Sequence, residues 1–387
     1  MVERMAQCHA GPGRWPAFAC LTGGPGTGKT TTLREMIENL ARRFVSVACA
    51  APSGKAAMRM AEATGAPAST IHRLLKIQPG NEGSLEPIAR DVLILDEASM
   101  IDSRLAAKAI QAARAGVTRL VLLVGDSDQL PPVGPGQPFH DLIQGLAPER
   151  VARLTQPMRQ AQQSGIVRAA YAVRDGEEPD FNDSDFRFQH AEDDTAGAVV
   201  ELLRELPDAQ VLAPTRKGPA GVEALNEIIE RSRGEIEGGS VRGFRLGSRV
   251  INVRNNYDAN VWNGECGIVT ALDPDASARK EALSVDFGGA SDLLYRGAGI
   301  GDLQPAWALT VHKSQGSEWA DVIVIAHPSH SYSLTRRLLY VAITRAKRRV
   351  VVVGTRGAVA QAVRNTRDAR RDTWLGRKFA RDRKAGA

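Results

Sequence analysis

Cysteine is scarce and scattered: Cys8, Cys20, Cys49 and Cys266 are the four in 387 residues, and no two form a Cys-x-x-Cys pair. That spacing argues against a cysteine-held metal centre or a disulfide framework and reads as reduced thiols in a cytoplasmic protein. Long apolar runs are missing too, and nothing in the chain approaches the roughly 20 residues a membrane span needs. The opening MVERMAQCHAGPGR mixes acid and base without an apolar block, so no signal peptide is expected. Histidines gather only at His327 and His330, beside Pro328, with no other ligand type nearby; loop histidines are the reading there, not a metal site. Most of the chain also lacks an excess of either charge. From Arg364 onward nine Lys/Arg face Asp368, Asp372 and Asp382, an excess of six that equals the whole net charge of +6. The pI of about 9.3 invites a polyanionic partner. A nucleic-acid groove in the neutral body must therefore come from local arrangement, while the basic end reads as a solvated helix or as a backbone-contacting segment.

What is present is a soluble, globular composition, 43% hydrophobic and 24% charged, long enough for two or three domains. Residues 23–32, GGPGTGKTTT, fit Gly-x-x-x-x-Gly-Lys-Thr between an apolar run, Ala17 to Leu21, and a helical pattern at Leu33, Met36, Ile37 and Leu40. Strand, loop and helix in that order make a P-loop. Its backbone N–H groups over Gly24, Pro25, Gly26, Thr27, Gly28, Lys29, Thr30 and Thr31 converge on phosphate at a helix N-terminus, where proline alone contributes no donor. Lys29 reaches the β/γ-phosphates and Thr30 ligates Mg²⁺. A plain Gly/Pro turn would need neither Lys29 nor Thr30, and neither would a dinucleotide fingerprint.

VSVACA (45–50) predicts a parallel strand beside the first, and Pro52-Ser53-Gly54 opens an Ala-rich helix. Residues 76–90, with Pro79, Gly80, Asn81, Gly83 and Pro87, read as a short projecting loop or hairpin. Val92 to Leu95 form an apolar strand that ends in Asp96-Glu97, 67 residues after Lys29 at Asp96. The C-terminal ends of such strands are where open α/β sheets bind ligands. Asp96 is placed to hold Mg²⁺ and Glu97 to orient and deprotonate a water. LVLLVG (120–125) delivers Asp126, Asp128 and Gln129 to the same edge, where Gln129 can report on the γ-phosphate; a Pro/Gly turn is the alternative.

GGPGTGKTTT, APSGKAAMRMAEATG with STIHRLL, VLILDEASM and GDSDQLPPVGPG together resemble the first motor domain of superfamily 1 helicases, in the RecD-like branch that is also similar to phage Dda. LTQPMRQ, VLAPTRKGPAGVEALNEII, LTVHKSQGSEWADVIVI and LLYVAITRAKRRVVVVG extend the resemblance from about residue 20 to the C-terminus. It implies an α/β fold with two RecA-like P-loop motor domains built on parallel sheets. A short hairpin insertion marks the first and a small β-barrel the second. The expected layout is a first motor domain over 1–152 with a pin at 76–90, a second beginning at 153–240, an inserted barrel at 241–305, and the remainder of the second at 306–387.

The resemblance further implies that Arg159 and Arg345 reach the γ-phosphate from the second domain, although either reads as a surface arginine by pattern alone. Gly316 and Glu318 contact the nucleotide, and Gln7 stands at plausible spacing for adenine recognition. Strand contacts are expected at Pro52, Ser53, His72, Thr310, His312 and Lys313, and at Asn255, Asn256 and Trp262. The C-terminal helix is expected to pack through Val363, Trp374, Leu375 and Phe379. The function implied is an ATP- and Mg²⁺-dependent 5′→3′ DNA helicase on single-stranded DNA and single-strand/duplex junctions, with protein partners in repair, recombination or replication left unidentified and no membrane. Two alternatives stay open: a translocase that strips proteins, favoured by the short 76–90 loop, and a non-catalytic nucleotide-gated binding module. RNA remains a possible track, because backbone contacts alone do not discriminate.

Overall fold

The computed structural model describes residues 15–77, 85–234, 239–256, 259, 261–273, 281–288, 291–369 and 371–385. It divides into two compact units, Met1–Val167 with Thr366–Ala387, and Arg168–Asn365. The first is organised on six parallel strands: β1 (Ala17–Gly23), β2 (Val47–Ala51), β3 (Ala68–Thr70), β4 (Val92–Leu95), β5 (Leu120–Gly125) and β6 (Val151–Leu154), in the order β3-β2-β4-β5-β1-β6. Alternate residues of these strands serve different cores, because side chains point to opposite faces with a period of two. Ala19, Leu21, Ile94, Leu122 and Val124 pack with Leu33, Ile37 and Leu40 of the helix Lys29–Arg42. Cys20, Leu93, Leu95, Val121 and Leu123 pack on the other face with Ala109 and Ala112 of Ser103–Ala115 and Phe139 and Leu142 of Pro138–Gly145. A sheet covered on both faces explains why its strands read as unbroken apolar runs.

The second unit carries β7 (Phe186–His190), β8 (Gln210–Ala213), β9 (Arg249–Asn252), β10 (Cys266–Asp273), β11 (Ala282–Asp286), β12 (Leu293–Arg296), β13 (Leu303–Pro305), β14 (Ala308–Thr310), β15 (Trp319–Ala326) and β16 (Ala346–Gly354). Five of them form a parallel sheet ordered β14-β8-β15-β16-β7, and the other five an antiparallel sheet ordered β12-β11-β10-β9-β13. The antiparallel sheet has its own core of Phe244, Val250, Val269, Leu283, Val285 and Leu303. Three of its strands are legible as short apolar runs. The strands β12 and β13, of four and three residues, are not.

Several expectations are corrected here. The first unit continues to Val167, past the expected end at 152, so Arg159 belongs to it and not to the second domain. The physical reason is a long-range bond: the Met158 N–H donates to the Gly26 carbonyl at 2.8 Å, pinning this segment to the P-loop. Residues 366–387 also belong to the first unit, not to the second, because Phe379 packs against the core beneath Pro138–Gly145. Of the residues expected to pack the C-terminal helix, Val363 is buried but lies on the helix Arg356–Arg364 of the second unit, Leu375 and Phe379 are half-buried, and Trp374 is 73% exposed. His330 is buried in the short turn Pro328–His330. Residues 78–84 of the expected pin lie outside the described residues. Among the described residues no helix is long and apolar enough to cross a membrane.

Candidate functional site

Parallel register brings the first unit's motifs to one sheet edge. Thr22 pairs with Gly125 and Leu95 with Leu123, so β1, β5 and β4 release Gly24, Asp126 and Asp96 from adjacent strands at nearly the same level. The loop after β1 turns through left-handed residues, Gly26 at φ 68° and Gly28 at φ 83°. A Cβ on Gly26 would also lie 2.5 Å from the Ala161 Cβ. Glycine is thus required by backbone conformation and by a neighbour. Thr27 Oγ1 donates to the Gly24 carbonyl at 2.9 Å, and Lys29 Nζ donates to the Gly23 and Gly24 carbonyls at 2.6 and 2.9 Å. Thr30 and Thr31 follow in the first turn of Lys29–Arg42, whose N-terminus supplies the positive end of its dipole.

Asp96 and Glu97 lie where β4 ends. Burial, with the Glu97 charge second, pushes the Asp96 carboxyl up to about 6, against the Glu97 N–H and the Lys29 charge. Lys29 and Asp96 therefore share one electrostatic environment. Glu97 is held at φ 48°, a left-handed conformation that costs a non-glycine residue about 1–2 kcal/mol. Its N–H donates to Asp96 Oδ1 at 2.9 Å, and the turn Ala98–Met100 follows at once. Backbone strain thus sits on the residue assigned to activate water. The hydroxyl of Thr30 and the carboxylate of Asp96 are hard oxygen donors of the kind Mg²⁺ takes, one or two from protein and the rest from phosphate and water. That donor set fits.

Gln129 is buried, and its Oε1 has no partner among the described residues; Ser99 Oγ is in the same state. A buried unpaired acceptor costs about 1–3 kcal/mol, which a ligand or water at this edge would recover. Gln7 lies outside the described residues. Three contributors escaped the sequence reading. Ser127 meets Thr22 through its N–H at 3.2 Å and its hydroxyl at 3.3 Å, joining the ends of β5 and β1. Met158 touches the Gly28 position. Arg371 Nη1 donates to the Gly134 and Gly136 carbonyls at 3.0 and 3.1 Å, fixing the loop that follows Gln129. Each joins residues far apart in sequence, so no short pattern announces it.

In the second unit Arg345 is buried, which removes the surface reading. Its Nε donates to the Val341 carbonyl at 3.1 Å, Nη1 to the Ser317 carbonyl at 3.4 Å and Nη2 to Thr344 Oγ1 at 3.1 Å. The Trp319 N–H returns to the Arg345 carbonyl at 2.9 Å, so Arg345 and the Gly316–Glu318 segment are built as one piece. Glu318 pairs with Lys347 at 3.4 Å.

The expected strand contacts divide between the units. Ser53 caps the helix Gly54–Thr64, accepting the Ala56 N–H at 3.2 Å, and Pro52 precedes it at the end of β2. His72 is exposed just after β3, which neighbours β2, so these residues share an edge. In the second unit Thr310 ends β14, and His312 and Lys313 are exposed, which excludes a buried His312. Lys313 Nζ donates to Gln304 Oε1 at 2.7 Å, and Thr310 and Lys313 line a cavity of about 500 Å³ with Arg216, Asn226 and Phe244. The side-chain oxygens of Asn255 and Asn256 accept the N–H groups of Asn263 and Ala259 at 2.8 and 3.1 Å, stitching their own turn. Trp262, half-buried, receives Asn252 Nδ2 on its carbonyl at 3.3 Å. Glu230 ties the antiparallel sheet to the helix Val222–Ser232, accepting from Trp307 Nε1 at 2.6 Å, Arg245 Nε at 2.9 Å and Ser248 Oγ at 2.9 Å.

Comparison with known proteins agrees with this layout. The family profile described as AAA domain matches residues 14–193, that of the ATP-dependent RecD-like DNA helicase SH3 domain residues 223–287, and that of the UvrD-like helicase C-terminal domain residues 305–353. The ATP-dependent RecD2 DNA helicase of Deinococcus radiodurans is 40% identical over 366 residues, covering 92% of this chain and 50% of that protein. The RecBCD enzyme subunit RecD of Mycolicibacterium smegmatis is 33% identical, covering 89% of this chain and 69% of its own. The chain thus spans half to about two thirds of these relatives. Among solved structures, Pif1 helicase from Bacteroides in complex with ADP-AlF3 and ssDNA superposes with a TM-score of 0.55 at 20% identity, over 96% of this chain and 94% of that one. Pif1 helicase from Candida albicans gives 0.55 at 20% identity, with 96% of each chain covered. At that identity the two structures speak for the fold, two RecA-like parallel-sheet domains. By sequence, the chain belongs to the RecD-like family of helicases.

Proposed function

We propose that the chain is an ATP-dependent DNA helicase that moves 5′→3′ along single-stranded DNA and opens single-strand/duplex junctions, in the cytoplasm and in the service of repair or recombination. The observation that carries this reading is the release of Gly24, Asp96 and Asp126 from neighbouring parallel strands to one edge, with the Lys29 charge acting on Asp96, in a chain similar to a protein named an ATP-dependent DNA helicase. Polarity rests on the resemblance to the RecD-like branch.

Phosphates lie against the N–H groups of Gly24 to Thr31, with Lys29 drawn from its loop carbonyls to the β/γ-phosphates. Thr30 and Asp96 would hold Mg²⁺, which would supply positive charge against the phosphate oxygens. Glu97 orients the attacking water and takes its proton. Gln129 registers the γ-phosphate, while Arg159 and Arg345 offset the negative charge that builds in the transition state. Gly316 and Glu318 meet the ribose side. Pro52, Ser53, His72, Thr310, His312 and Lys313 grip the strand backbone without reading bases, as a moving protein requires. Asn255, Asn256 and Trp262 form an auxiliary rim whose turn must be intact.

The test is ATP hydrolysis with and without single-stranded DNA. Lys29→Ala and Glu97→Gln are expected to lose DNA-stimulated turnover by at least about a hundredfold, within the range general-base and charge stabilisation supply. Near-normal turnover in either variant would remove the assignment.

A further inference from the structure

The helix Trp374–Ala385 has one face with no assigned role. Its inward side is anchored: Thr373 Oγ1 donates to Asp141 Oδ2 at 2.7 Å, and Phe379 fills the space in which a Cβ on Gly145 would stand 2.2 Å from the ring. On the outward side Trp374 is 73% exposed, and Arg377, Lys378 and Arg381 are exposed with it. Positions 374, 377, 378 and 381 follow the i, i+3, i+4, i+7 spacing of a single helical face. Lys378 Nζ lies 5.5 Å from the centroid of the Trp374 ring. The acid paired with this face in the described residues is Asp372, 2.7 Å from Arg377 Nε, an exposed pair of small energetic weight.

We propose that this face is an accessory contact for single-stranded DNA, with Arg377, Lys378 and Arg381 on the phosphates and a base stacked on Trp374. An ordinary solvated helix keeps large aromatics inside; this face does not. Cations ranged around an exposed indole match the chemistry of a strand, whose phosphates and base planes alternate. The face spans about 10 Å at 1.5 Å per residue. It lies on the unit that carries the P-loop, and Arg371, three residues before Trp374, holds the loop after Gln129. A strand seated here therefore adjoins the segment fixed to the hydrolysis site.

The proposal rests on the reading that the chain binds single strands, and the experiment separates the two. Binding of a labelled oligo(dT) to the full chain is followed by fluorescence anisotropy over a salt series, for the wild type, Lys378→Gln/Arg381→Gln and Trp374→Ala. The double variant is expected to flatten the slope of log affinity against log salt by about 1.4, at 0.7 per phosphate contact. Trp374→Ala is expected to weaken binding about 5- to 100-fold with the slope unchanged. Unaltered DNA-free hydrolysis and thermal midpoints establish that the variants fold. Wild-type slope and affinity in both variants would overturn the proposal. A wild-type chain that binds no single strand overturns the functional reading itself.

Discussion

At the scale of single residues, conformation and charge carry the account. Gly26 combines a positive φ with a 2.5 Å approach to Ala161, so Gly26→Ala meets both left-handed strain and a neighbour that must shift. Distortion of the phosphate cradle is expected to weaken nucleotide binding at least about tenfold, a loss of ~1.4 kcal/mol; titration with a fluorescent ATP analogue checks this, and an unchanged Kd would contradict it. Away from the site, His330 is buried with neither ring nitrogen partnered among the described residues, and burial, helped by His327, lowers its pKa to about 4. Its folded pKa lies below the ordinary value near 6.5, so the unfolded chain takes up the proton first. This histidine's contribution is whole above about pH 6.5 and is lost as pH falls toward 4, by up to about 1.4 kcal/mol per unit. His330→Leu is expected to flatten the fall in thermal midpoint between pH 6.5 and 4.5; a wild-type slope would show that other groups cause it. The P-loop and the Asp96-Glu97 pair were legible in sequence because each is a short pattern whose meaning depends on immediate neighbours. The strain at Glu97 and the unpaired Gln129 oxygen were not, since both depend on what folds around them.

At the scale of elements, the parallel strands were readable because a sheet covered on both faces leaves uninterrupted apolar runs. The helix Trp374–Ala385 was readable as a helix but not in its facing: Trp374, expected inside, is exposed, and Phe379 does the packing. Hydrophobicity alone ranks tryptophan inward, while the helical phase set by Leu375 and Phe379 turns it out. The preceding Arg371 acts across 237 residues on Gly134. Arg371→Ala removes two charge-assisted hydrogen bonds and is expected to lower stability by about 1–3 kcal/mol. It is also expected to slow ATP turnover through the freed Gln129 loop, with little change in KM. Denaturant unfolding and steady-state kinetics on the same protein measure both, and a stability loss without any change in kcat would confine Arg371 to a structural role. Glu230 performs the equivalent task in the second unit, where burial raises its pKa but hydrogen bonds from Trp307, Ser248 and Arg245 hold it below its ordinary value.

At the scale of the whole molecule, the chain passes from the first unit into the second near Val167 and returns near Asn365. Sequence patterning located the two sheets, yet it put the first crossing at 152–153 and anticipated no return to the first unit. A boundary is a matter of which contacts outnumber which, and the bonds of Met158 to Gly26 and of Thr373 to Asp141 that decide it join residues more than a hundred positions apart. The central claim is that hydrolysis at the P-loop unit is turned into directed travel along one strand. Its most direct test is ATP-driven strand separation on matched duplexes with a 5′ or a 3′ single-stranded tail, with Lys29→Ala as the blank. The account predicts separation of the 5′-tailed duplex, little of the 3′-tailed one, and none with Lys29→Ala. Equal separation of both, or none of either while ATP is consumed, would contradict it.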